Sequence, residues 1–140
     1  MLTYALFIAS DPHPVSKVES ASLEEVYERA RLSSGGTVVK VRTSETGGDD
    51  PAAYDVDVAT FVNGLHLEVR DNGPDSFAFV ADGKALGVAR LTDDRWLLTR
   101  EPDPELPATT GEPTAYVTAH DHTREEAEAR LWKIAEDWLT

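Results

Sequence analysis

The chain has 140 residues, with 26 Asp and Glu against 13 Lys and Arg, a net charge of −13, and no cysteine. That sign of charge disfavours nucleic acid and anionic membranes as partners, because each phosphate contact must overcome the protein's own negative field. The missing thiols exclude disulfides and cysteine nucleophiles. A hydrophobic content of 41%, with three Trp, four Tyr and four Phe, excludes global disorder.

Thr3 to Ala9 is rich in β-formers and predicts a strand. No basic residue precedes Lys17, so this segment lacks the charged start of a signal peptide. No run approaches the roughly 18 apolar residues that span a bilayer. Cytoplasm is the expected compartment. Asp11-Pro12-His13-Pro14 then predicts a loop, because proline cannot donate to a ladder. Ser22-Leu23-Glu24-Glu25 has the pattern of a capping box, and Leu23, Val26, Tyr27 and Ala30 repeat at helical spacing. A helix over Leu23 to Ser33 follows, closed by Gly35-Gly36.

Thr37 to Thr43 alternates as a strand and leads into a polar stretch, expected to be a mobile loop over about 44–53. Asn63-Gly64 sits between two alternating runs and predicts a type I′ hairpin in which Val62 faces Leu65, Val58 faces Val69 and Asp57 faces Arg70. A second hairpin of the same type is expected at Asp82-Gly83, with Phe79 facing Leu86 and Phe77 facing Val88. Thr92-Asp93-Asp94 turns the chain into a further strand, Arg95 to Arg100. Four prolines between Glu101 and Pro113 exclude a regular element there, leaving a second variable loop. Ala115 to Ala119 resumes a strand, and Thr123-Arg124-Glu125-Glu126 is a second capping box before a helix striped by Ala127, Leu131, Ile134, Ala135 and Trp138. The order β-α-β, then a meander of hairpins, then β-α, predicts a single α+β domain over residues 1–140. Its largely antiparallel sheet would carry two helices packed on one face.

Few residues form a chemical constellation. His120-Asp121-His122 has the spacing of two metal ligands on one side of a strand, but no third ligand is placed by His13, His66 or a carboxylate, so no metal or cofactor is expected. Paired carboxylates are abundant at turns and in first helical turns, where local hydrogen bonds and the helix dipole account for them, so no catalytic residue is assigned. The stretch from Lys84 to Arg100 departs from the overall charge, with Lys84, Arg90, Arg95 and Arg100 against Asp93 and Asp94. The reading put first has Trp96 in the core, alternating with Leu98, and the arginines paired with the chain's own carboxylates; the alternative is a basic strand face for nucleic acid that includes Trp96. Three strands followed by a helix is an order similar to that of some double-stranded-RNA-binding and integrase arm domains, a resemblance of topology alone.

The function expected first is a non-enzymatic interaction module of inhibitor, immunity or regulatory type. It would bind the basic surface of a partner protein, one form of it imitating nucleic acid. The contacts expected are Asp49, Asp50, Asp55, Asp57, Asp93, Asp94, Glu101, Asp103 and Glu105. Two alternatives stand beside it. One is an accessory nucleic-acid binder through the basic face, and the other is a small ligand-binding domain or enzyme using His66 or His120 in a pocket between sheet and helices.

Overall fold

A computed structural model describes residues 3–8, 14–19, 22–43, 54 and 56–140. The chain is α+β, with antiparallel strands and, among the described residues, two helices, and it divides into two compact units, Met1–His66 and Leu67–Thr140.

The first unit runs β1 (Thr3–Ile8), β2 (Pro14–Glu19), α1 (Leu23–Ser33), β3 (Val38–Thr43) and β4 (Val56–Val62). Its strands lie in the order β2-β1-β3-β4, all antiparallel. The loop expected after Asp11 gives way to β2 from Pro14 onward. The prolines permit this because β2 is an edge strand with Pro14 as its first residue, where a missing N–H costs no central ladder bond. Helix α1 has the predicted bounds and buries Val26 and Ala30 against Leu6, Val39, Val41 and Phe61. Its first capping box is not formed as expected: Ser22 holds the N-cap backbone position, but its side chain makes no cap hydrogen bond. The other end of α1 is tied more firmly. Ser34 Oγ donates to the Arg31 carbonyl and accepts from Gly64 N–H, while Asn63 Oδ1 accepts from Gly36 N–H. Asn63 and Gly64 both have positive φ, as a type I′ turn requires.

The second unit contains the rest of β5 (Leu65–Asp71), then β6 (Ser76–Ala81), β7 (Lys84–Thr92), β8 (Arg95–Arg100), β9 (Thr114–Thr118) and α2 (Arg124–Leu139). The strands form an antiparallel meander in chain order. The Asp82-Gly83 turn is type I′, with φ of 50° and 78°. Its register differs from expectation. A bulge between Phe79 and Val80 shifts the pairing by one residue, so Phe79 faces Gly87 and Phe77 faces Ala89.

The glycine at 87, opposite Phe79, has a packing reason. A Cβ on Gly87 would stand 2.7 Å from Trp138 Cζ3 and 2.8 Å from the Thr99 carbonyl oxygen, so only glycine lets the α2 indole lie against the strand. The inward rows of these strands hold Phe77, Phe79, Ala89, Trp96, Leu98 and Val117, all buried, and α2 adds Ala127, Leu131, Ala135 and Trp138. Trp96 is therefore core, 5.2 Å from the Phe77 ring. The second capping box is complete: Glu126 N–H donates to Thr123 Oγ1 at 3.2 Å and Thr123 N–H donates to Glu126 Oε1 at 3.3 Å. The Thr123 backbone N–H, and then the Thr123 side chain, hold the Glu126 carboxyl below its ordinary pKa.

The proline-rich segment carries no regular element, as expected. Its Glu101 and Asp103 N–H groups donate to the Leu86 and Ala85 carbonyls, Leu106 is buried, and Trp138 Nε1 donates to the Glu112 carbonyl at 2.7 Å.

Candidate functional site

Within the second unit, the acidic residues singled out in the sequence lie at the two ends of β7. Asp49, Asp50 and Asp55 lie outside the described residues, as does His13. Asp57 stands opposite Arg42 in the β3–β4 register and accepts from its Nε at 2.9 Å. Glu101, Asp103 and Glu105 run beside the first residues of β7, where Lys84 meets Glu105 at 3.2 Å. Asp93 and Asp94 form the β7–β8 turn at the other end of the nine-residue strand β7, about 30 Å away by strand rise.

Both turn aspartates have positive φ, a backbone that Asp tolerates better than most residues. Asp94 Oδ2 lies 2.6 Å from His120 Nδ1, and Asp121 lies 3.4 Å from His120 Nε2. The His120 and carboxylate pairing expected for a pocket thus forms on an open surface, with both side chains of the closer pair 62% exposed. His122 Nδ1 donates to the Thr118 carbonyl at 3.1 Å, an arrangement that turns it into the β9–α2 connection. Among the described residues no three His, Asp or Glu side chains converge as a metal site would require. His66 stacks on Phe61 with 4.8 Å between ring centroids, beside Tyr27.

The basic stretch also divides, because alternate strand residues point to opposite faces. Trp96 and Arg100 face α2, where the Arg100 guanidinium lies 5.8 Å from the Trp138 ring and donates to the Gly111 carbonyl. Arg90 and Arg95 are exposed on the other face.

A concave site not foreseen in the sequence lies beside α2. Glu125, Glu128, Ala129 and Trp132 recur at helical spacing, line one side of an open groove of about 310 Å³, and face Val69 of β5. Val69, Ala129 and Trp132 give it apolar walls, while Glu125 and Glu128 put two carboxylates on its rim. Trp132 is held in place twice: Phe79 meets it edge to face at 5.9 Å, and its Nε1 donates to Glu136 Oε2 at 2.7 Å one turn later.

Arg124, the first residue of α2, is held by several partners. Its guanidinium donates to Asp71 Oδ1 at 2.8 Å and to the Gly73 and Ser76 carbonyls, lies over Phe77 and Trp96, and leaves only a 3.6 Å contact from Nε to Glu128. The Gly73 N–H and then Arg124 hold the Asp71 carboxyl below its ordinary pKa. Helical spacing of Glu125, Glu128 and Trp132 was a signal present in the sequence; that Val69 would stand opposite them was not. Chemically, such a groove suits an extended aliphatic stem ending in a cation, stem on indole and cation between the glutamates.

Among the described residues no helix is long and apolar enough to cross a membrane. No family model, curated protein or solved structure matches the chain.

Proposed function

We propose that this chain is a soluble, cytoplasmic, non-enzymatic interaction module, of inhibitor, immunity or regulatory type, that binds a basic segment of a partner protein. The observation that carries the reading is the α2 groove, in which a rigidly held, half-exposed indole stands beside two glutamates. A Lys or Arg side chain would lay its methylenes on Trp132 and Val69 and place its charge between Glu125 and Glu128. The chain's net charge of −13 steers such a partner toward the module and speeds encounter more than it adds affinity. Nucleic-acid mimicry is the weaker form of the reading, because Asp93 and Asp94 sit at the opposite end of β7 from Glu101, Asp103 and Glu105.

The test is titration with short Arg-rich and Lys-rich peptides, followed by tryptophan fluorescence, since Trp96 and Trp138 are buried and Trp132 is the indole that a ligand reaches. Binding should weaken with salt and fall roughly tenfold in Glu125→Gln/Glu128→Gln, consistent with one lost charge-assisted contact of about 1.4 kcal/mol or more. Absence of saturable binding, or affinity unchanged in that variant, removes the groove from the reading.

A further inference from the structure

The face of β6 to β9 that points away from α2 is a second surface. It has no helix of this unit on it, and its composition is opposite to that of the chain. The strand registers place Arg70, Ala78, Val88, Thr99 and Thr114 in one cross-strand row. The next row is Ser76, Arg90, Leu97 and Tyr116, and the last is Thr92, Arg95 and Thr118. No residue in these three rows is acidic, in a chain where acids outnumber bases two to one. At the centre Leu97 is 37% exposed and Tyr116 is 62% exposed, and the Arg95 guanidinium lies 5.4 Å from the tyrosine ring.

A pleated face with an open aromatic ring, an apolar neighbour, hydroxyls along the strands and arginines on either side is chemically matched to one kind of ligand. Bases stack on rings and guanidinium planes whatever their sequence, and phosphates pair with the arginines. Carboxylates border the face only at its margins, with Asp121 accepting from Thr118 Oγ1 at 3.2 Å and Asp93 and Asp94 in the turn between Thr92 and Arg95; exposed charges farther than about 8 Å are largely screened at physiological ionic strength. We infer that this face binds single-stranded nucleic acid, with Tyr116 and Leu97 as the stacking platform and Arg90 and Arg95 as the phosphate contacts. Arg70 extends the row, its guanidinium beside the β6–β7 turn at Gly83. With only two or three phosphates engaged, binding is weak and its salt dependence shallow, with a log–log slope of about −1.5 to −2. The proposal is independent of the α2 groove.

Fluorescence anisotropy of labelled oligothymidylate and oligouridylate at low salt tests it on the full chain. Saturable binding of either oligomer, lost in Arg90→Glu/Arg95→Glu, weakened roughly tenfold in Tyr116→Ala and retained in Tyr116→Phe, is the expected result. The preferred oligomer then tells DNA from RNA. Glu125→Gln/Glu128→Gln should leave this binding intact, so failure of the groove and failure of this face are read separately. No binding of either oligomer by the folded protein overturns the proposal. So does binding that ignores the Arg90 and Arg95 reversal, or binding of an acidic polyglutamate peptide in place of both oligomers.

Discussion

The two faces of the β6 to β9 strands are built from alternate residues of the same segments and meet opposite requirements. Leu98 and Trp96 point toward α2 and are 0% and 4% exposed, whereas their neighbours Leu97 and Arg95 stand in solvent. Leucine at 97 and leucine at 98 are therefore the same residue put to different uses: one contributes to folding by leaving water, and the other remains available as contact surface. The polar residues divide likewise. Arg100 and Arg124, on the inner side, are committed to ring faces and backbone carbonyls, while Arg90 and Arg95, on the outer side, are presented to solvent.

The largest expected effect separates the faces by stability. Leu98→Ala should cost about 2–5 kcal/mol in chemical denaturation, and Leu97→Ala no more than about 0.5 kcal/mol. Equal costs for the two would break the comparison. Gly87→Ala comes next, at about 1–3 kcal/mol, because the added methyl meets both an indole and a backbone carbonyl closer than 3.0 Å.

The third prediction concerns how α2 is held on the inner face. Thr123→Ala removes a formed capping box and should cost about 1 kcal/mol, read from the midpoint of chemical denaturation. The smallest effect is in pH. Asp71 and Glu126 are depressed in the folded state, so the stability they contribute is present above the ordinary carboxylate range near pH 4 and is lost as pH falls through their folded values. Asp71→Asn should flatten that acid limb, read as the midpoint of denaturation against pH. An acid limb identical to wild type would show that the Arg124 clamp does not depend on the charge of Asp71.

Much of the fold was legible because its signals are local. Asn63-Gly64 and Asp82-Gly83 announce positive φ, Thr123 and Glu126 announce a cap, and Leu23 to Ser33 announces a helix, all within a few residues. What was not legible depends on distant neighbours. Pro14 argues against a strand until its place on the sheet edge is known, and the bulge after Phe79 brings Gly87 opposite it, where the Trp138 ring packs from far along the chain. The candidate surfaces depend on distant neighbours in the same way. Charge counting grouped Lys84, Arg90, Arg95, Trp96 and Arg100 by sequence proximity, but the strand period places Trp96 and Arg100 on one face and Arg90 and Arg95 on the other. Leu97 and Tyr116, on adjacent strands, become neighbours only through the β8–β9 pairing, and Val69 meets the Glu125, Glu128 and Trp132 face only through tertiary packing.

The fit of Trp138 onto Gly87 also has an evolutionary consequence. Two positions so far apart in the chain form one lock, so drift at either is constrained by the other: a side chain at 87 becomes acceptable only in a chain that has already exchanged the indole at 138 for something smaller. In descendants of a common ancestor, glycine and tryptophan at these places should be inherited together or lost together. That pairing would mark kinship after the exposed acidic residues had diverged beyond comparison.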